Sequence, residues 1–337
     1  FSESVEVFEK KVSSSEVQNS SGIGIRVFKD KKPGIAFTEK FSTDALKTCL
    51  NDALSHTQIT APVPFTVAPL VANTGEENFN RVSPHFNDFS FEKLLDFAKN
   101  LEEEVRSKDL RIENVPYTGA HRSRSTSYFL NSNGVSYSHT DEDFGAYSAA
   151  VASKDGEKKM GVYGNSRLEF IELQKISLAE EVWQRTLKQL GAKPVHSGKY
   201  RILFSNRISG SFFSMYSSAF FAQKAIHLES RLKGRVGEKI ASGILNIKSI
   251  GRDKTLRGSR AYDAEGVPTQ NVKVVENGIF KNFLYNLESA AIDKVTSTGN
   301  ASRSVSSKAA TSFKNFVVDK GTHSLKEILA QGKILLI

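Results

Sequence analysis

The chain has 337 residues, with 39% hydrophobic and 25% charged, which is an ordinary globular composition and excludes a disordered polymer. That length suffices for two or three compact units. No apolar run reaches the roughly 18 residues of a membrane span, and a single cysteine, Cys49, excludes an internal disulfide and a thiolate metal cluster.

The net charge of +9 is unevenly placed, with 21 basic and 10 acidic residues from Arg201 onward and 25 and 27 before it. A basic C-terminal lobe suits nucleic acid, an acidic partner or a peptide carboxylate, and is equally compatible with a solvated surface. The chain opens at Phe1 with neither a basic n-region nor an apolar h-region, so no signal peptide is expected and cytoplasm is the expected compartment.

Three blocks follow in chain order: 1–70, 71–195 and 196–337. In the first, Val5–Val12 alternates as a strand, and Gly22–Phe28 with Ile35–Thr38 reads as a hairpin across Lys29–Gly34. Ser42 is placed to cap a helix reaching Leu54, in which Cys49 is a small core residue. Thr60–Pro69 holds three prolines and reads as a linker. In the second block, Ser90 caps a helix with Leu94, Leu95, Ala98, Leu101 and Val105 at helical spacing. Strands are expected at Ser125–Leu130, Val135–Thr140, Phe144–Ser153 and Met160–Tyr163, the first two joined by the Asn133–Gly134 turn. Ser177 and Glu180 match a capping box for a helix that Gly191 ends.

The third block opens with a buried-type strand at Tyr200–Phe204 and a helix from Ser211 to Leu232. Phe212, Phe213, Met215, Tyr216, Phe220 and Phe221 are too many for one helix face, so this helix is either buried all round or shared with a second subunit. Strands follow at Gly243–Ile250, Val272–Val275 and Ile279–Tyr285, the last two joined by Asn277–Gly278. The terminal apolar run Lys333–Ile337 has the look of a buried strand, and further C-terminal sequence is expected.

Catalytic motifs are missing. None of the seven histidines is followed by Glu, and no two lie within five residues, so no local His-Glu zinc helix is present. His139, Asp141 and Asp143 would share one face of a strand and are the remaining divalent-ion candidates, though such a face is more often solvated. No GxSxG, P-loop or complete GxGxxG occurs, and nothing matches a helix-turn-helix or zinc finger.

Several segments together resemble the TldD/PmbA family, the modulators of DNA gyrase: Gly22–Thr38 (GIGIRVFKDKKPGIAFT), Leu232–Ser242 (LKGRVGEKIAS), Arg257–Thr269 (RGSRAYDAEGVPT), Val274–Ala290 (VVENGIFKNFLYNLESA) and Thr296–Arg303 (TSTGNASR). TldD-like members carry a His-Glu-x-x-x-His zinc helix before the Gly-Arg-x-Gly-Glu segment. The equivalent stretch here, Phe213–Ser218, reads FSMYSS and offers no zinc ligand. The PmbA branch, also called TldE, lacks those ligands and pairs with TldD.

The resemblance implies an α+β fold, with an N-terminal α/β part of antiparallel strands and helices and a C-terminal β-rich part that is incomplete here. It implies a non-catalytic subunit of a TldD/TldE-type zinc metallopeptidase complex acting on peptides and unfolded segments. No catalytic residue, metal ligand or cofactor is then expected in this chain, zinc being held by a TldD-type catalytic subunit. A homodimer is an option in that partner's absence, and no membrane or nucleic-acid partner is expected. The alternative is a nucleic-acid or gyrase-associated binding protein. Against it, the basic residues are scattered rather than gathered with stacking aromatics.

Candidate partner or substrate contacts are Arg257, Ser259, Asp263, Glu265, Thr298, Asn300, Phe212, Phe213 and Phe220. For Asp263 and Glu265 the competing reading is structural, as turn caps or ion-pair partners of Arg257 and Arg260.

Overall fold

The computed structural model describes residues 1–71, 78–332 and 334–336. They form two compact units, neither contiguous in sequence. The first takes Phe1–Ser20, Asn80–Ser127 and His139–Ser197, and the second takes Ser21–Phe79, Tyr128–Ser138 and Gly198–Ile337. The 1–70 block thus contributes to both.

The chain begins with two strands, β1 (Ser2–Phe8) and β2 (Lys11–Gln18), where one was expected. The turn between them lacks Gly and Asn, so it carries no hairpin signature. Glu9 and Lys10 both stand at positive φ, 52° and 59°. The buried carboxylate of Glu102 holds them there, accepting from the Glu9 and Lys10 backbone N–H at 2.8 and 2.9 Å.

The expected hairpin forms as β3 (Ile23–Lys29) and β4 (Lys32–Thr38), turning at Asp30–Lys31. α1 (Thr43–His56) follows, and the Ser42 hydroxyl accepts from Ala45 N as predicted. Gly34 is required where α1 crosses β4, because a Cβ there would lie 1.8 Å from the Ala53 carbonyl oxygen. Thr60–Pro69 has no regular structure, yet its Phe65 and Ala68 are buried in the second unit.

α2 (Phe91–Ser107) buries Leu94, Ala98, Leu101 and Val105 of the predicted stripe and leaves Leu95 half-buried. Ser90 occupies the N-cap position without a side-chain cap bond. Two 19-residue strands then form, β5 (Ile112–Leu130) and β6 (Ser136–Lys154), followed by β7 (Glu157–Arg167). Pro116 and Gly119 mask the first half of β5 in the sequence. α3 (Phe170–Gln174) and α4 (Leu178–Leu187) complete the first unit. The predicted capping box before α4 does not form. Ser177 makes no cap bond, and Glu180 instead accepts from Trp183 Nε1 and Gln184 Nε2.

The sheet order in this unit is β2-β1-β5-β6-β7. Val5, Val7, Val115 and Phe144 of the sheet pack with Leu94 and Val105 of α2 and Leu173 and Val182 of the later helices in one core. Fully buried side chains such as Leu94 and Phe144 each contribute roughly 1.5–3 kcal/mol.

In the second unit, β8 (Arg201–Leu203) is exposed rather than buried. It pairs in parallel with the terminal strand, Ile334–Leu336, Ile202 facing Leu335. Lys333 and Ile337 of that predicted run lie outside the described residues. The single helix expected over 211–232 is three pieces: α5 (Asn206–Tyr216), a 3-10 turn (Ser217–Phe220) and α6 (Ala222–Ile226). β9 (Ile247–Ile250), β10 (Asn271–Glu276), β11 (Ile279–Phe280) and, beyond α7 (Leu287–Asp293), two short strands β12 (Ala301–Ser302) and β13 (Ala310–Thr311) follow. β14 (Phe316–Val318) closes a sheet of order β11-β10-β9-β14, ahead of α8 (Leu325–Leu329) and β15 (Ile334–Leu336). The Asn277–Gly278 turn has both residues at positive φ, as its sequence predicts, but the strand after it ends at Phe280.

No helix among the described residues is long and apolar enough to cross a membrane.

Candidate functional site

The segment 257–269 is a loop of the second unit, folded around its own acidic residues. Asp263 is 1% exposed. Its Oδ1 accepts from the Glu265 and Val267 N–H at 2.9 and 3.0 Å, and its Oδ2 accepts from Ala301 N at 2.9 Å. One carboxylate therefore shapes its own turn and fastens it to the Thr298–Ala301 loop. Gly299, at φ 68°, lets that loop approach, since a Cβ would stand 2.3 Å from the Pro268 carbonyl.

Glu265 is also buried. Its Oε2 accepts from Leu287 N, the first residue of α7, where a carboxylate satisfies an orphan donor and complements the helix dipole. Its Oε1 accepts from Arg26 Nη1 at 2.8 Å. The ion-pair partner is thus Arg26 of β3, not the expected Arg257 or Arg260. The Arg26 guanidinium lies 4.9 and 5.1 Å from the Phe28 and Phe65 ring centres.

Ser259, Thr298 and Asn300 are engaged by the fold. Ser259 Oγ accepts from Asp253 N and Asn315 Nδ2, both at 3.1 Å. Thr298 Oγ1 accepts from Tyr285 N at 2.8 Å. Asn300 Nδ2 donates to Ser249 Oγ and the Ser312 carbonyl at 3.0 and 2.8 Å. Arg257 is exposed. The structure therefore brings Asp263, Glu265 and the 298–301 loop together. Arg26, Tyr137 and Lys314 belong to the same neighbourhood and were not singled out in the sequence. Tyr137 donates to the Asp263 carbonyl at 2.5 Å and stacks between Phe129 and Tyr262, at 5.3 and 5.0 Å. Lys314 Nζ donates to the Ala301 carbonyl at 2.7 Å.

Burial pushes the Asp263 carboxyl from 3.8 up to about 6, while Lys314 and the three backbone donors pull it down. Burial likewise lowers Lys314 from 10.5 to about 8, with Asp263 opposing. Between pH 3.8 and about 6 the native state holds the extra Asp263 proton, so stability should fall as pH rises through that window. Between about 8 and 10.5 the native state holds less of the Lys314 proton, so stability should rise with pH. Urea unfolding of wild type, Asp263→Asn and Lys314→Met across pH 4–10 checks this; profiles of the same shape in all three proteins would refute it.

The apolar helix α5 has no buried residue. Met215 and Tyr216 are 76% and 55% exposed. Phe212 is half-buried and stacks on Phe204 at 4.6 Å, while Phe213 stands 6.2 Å from Phe316. Phe220, in the 3-10 turn, is a core residue against Phe280. Of the two sequence alternatives, burial all round is therefore excluded for α5. Within Phe213–Ser218, Ser214 Oγ donates to the Gly210 carbonyl and Ser217 Oγ to the Ser214 carbonyl. Phenyl, thioether, phenol and helix-bonded hydroxyl groups do not fit zinc, which takes imidazole, thiolate or carboxylate.

In the first unit, Asp141 pairs with Arg81 at 2.8 Å and Asp143 accepts from Ser123 Oγ. Among the described residues, no three His, Cys, Asp or Glu are grouped to hold a metal ion.

Residues 1–56 match domain 1 of the PmbA/TldA metallopeptidases, residues 84–190 their central domain and residues 197–337 their C-terminal domain. The chain belongs to the PmbA/TldD family. An uncharacterized protein of Methanocaldococcus jannaschii is 30% identical over 333 residues, spanning 96% of this chain and 74% of that protein. A metalloprotease PmbA homolog of Buchnera aphidicola is 24% identical over 88% of this chain and 70% of its own length. Two solved structures share the PmbA/TldD fold. A Thermotoga maritima protein proposed to be a modulator of a DNA gyrase aligns with a TM-score of 0.86 and 23% identity, over 98% of this chain and 74% of that one. TldE from Thermococcus kodakarensis aligns with a TM-score of 0.81 and 22% identity, over 97% and 74%.

Proposed function

We propose that this PmbA/TldD-family chain is the non-catalytic, TldE-type subunit of a zinc metallopeptidase complex that processes peptides and unfolded segments. The observation that carries the reading is the chemistry of Phe213–Ser218. Where the family resemblance puts the zinc helix, α5 presents groups that cannot hold the metal, and so cannot supply a polarising ion or an activated water. The zinc belongs to a TldD-type partner.

The exposed apolar surface of α5 supports a partner contact. Ile208, Met215 and Tyr216 face solvent on a helix whose neighbouring face rests on Phe204 and Phe316. An exposed helix carrying aromatic residues and a methionine suits a subunit interface. The basic excess after Arg201 would raise the association rate with an acidic face, an effect screened over about 8 Å at physiological salt.

The purified chain should carry no stoichiometric zinc and cleave no unfolded peptide, whereas addition of a TldD-type partner should yield cleavage. Elemental analysis and a casein-peptide assay check this. About one zinc per chain retained through mild chelation, or cleavage by the chain alone, would overturn the assignment.

A further inference from the structure

We infer that the Arg303 guanidinium, beside the Phe129 ring, forms a binding site in the second unit for the carboxylate of a peptide. Arg303 follows the Thr298–Ala301 loop and is half-buried. Its one directional contact among the described residues is the Phe129 ring, whose centre lies 6.0 Å from its Cζ. Every other cation of this neighbourhood that is drawn inward has an oxygen partner: Arg26 has Glu265, and Lys314 has the Ala301 carbonyl. The Arg303 guanidinium has no protein acceptor among the described residues and keeps its donors open at a half-exposed position, and its planar fork matches a carboxylate.

Arg26 stands within electrostatic reach, its charge opposed by its ion-pair partner Glu265. Its Nε is buried without a hydrogen-bond partner. The two arginines are brought together by glycine: a Cβ on Gly24 would sit 2.1 Å from the Val305 carbonyl, so only a bare backbone lets the Arg303 segment lie against β3. Glu265 and Asp263 are also within reach of Arg303 and would repel a dianion. A singly charged carboxylate therefore fits better than phosphate.

That the carboxylate belongs to a peptide rests on the function proposed above; carboxylate binding itself does not. The probes are N-benzoylglycine, its amide, and N-benzoylaspartate α-amide, titrated by NMR or calorimetry into the full chain without any partner. N-benzoylglycine should bind about ten-fold tighter than its amide, a factor that one charge-assisted hydrogen bond supplies. Arg303→Gln should remove that difference and Arg303→Lys should keep part of it, while Phe129→Leu should weaken acid and amide alike. Tighter binding of N-benzoylaspartate α-amide would assign the site to an acidic side chain rather than a chain terminus, within the same proposal. Equal binding of acid and amide, no binding of either, or a difference that survives Arg303→Gln would overturn it. Because no cleavage is measured, carboxylate binding with an inactive complex would sink the peptidase reading alone.

Discussion

Asp263→Ala should destabilise the chain by about 3–5 kcal/mol. The side chain accepts from the backbone N–H groups of Glu265, Val267 and Ala301, all buried. Removing it leaves three donors without acceptors, each costing about 1–3 kcal/mol before water enters the space. Asp263→Asn keeps the shape and one carbonyl oxygen, and should cost about 1–2 kcal/mol. Denaturant unfolding gives the total, and hydrogen exchange at the three amides localises it. If Asp263→Ala falls within about 1 kcal/mol of wild type, with those amides still protected, the loop is not held as described.

Glu265→Ala should cost about 3–5 kcal/mol for a different reason. It strands the Arg26 guanidinium, whose side chain is 13% exposed, and removes the acceptor at the start of α7. Glu265→Gln retains an acceptor but not the charge and should cost less. The double change Arg26→Met with Glu265→Met should recover most of the loss, since a buried ion pair replaced by apolar groups is often neutral. A double-mutant cycle over Arg26 and Glu265 measures the coupling. Additive losses across that cycle would mean that the pair does not act as a unit.

Much of this was legible in the sequence because local rules decide it. Asn277–Gly278 turns where both residues tolerate positive φ, Ser42 caps α1, and Leu94, Ala98, Leu101 and Val105 face one core. The misreadings have two causes: distant residues override local signals, and local partners compete with one another. A Glu-Lys pair turns between β1 and β2 because Glu102 holds it from 92 residues away. Ser177 and Glu180 have capping-box spacing, but Glu180 is drawn to Trp183 and Gln184. At the candidate site, the family-like segments contained Asp263, Glu265 and Arg26, but nothing in them paired Arg26 with Glu265. An arginine in an alternating strand looks like any solvent-facing residue until the loop that buries it is known. The uniform apolar content of 212–221 hid a division between the core residue Phe220 and the exposed Met215 and Tyr216.

The distance between Arg26 and Glu265 along the chain, 239 residues, also sets a schedule for the protein's birth. At roughly 5–20 residues per second, the ribosome finishes the β3–β4 hairpin about ten to fifty seconds before the carboxylate that neutralises Arg26 emerges. Throughout that interval Arg26 and the neighbouring Phe28 and Phe65 have neither their counter-charge nor the chain that covers them. Meanwhile the strands of the first unit, whose segments flank residues 21–79 on both sides, are being made and paired. Neither unit can be released by a single cut, and a nascent chain stalled before residue 265 exposes a finished hairpin that still lacks its counter-charge to chaperones and proteases alike.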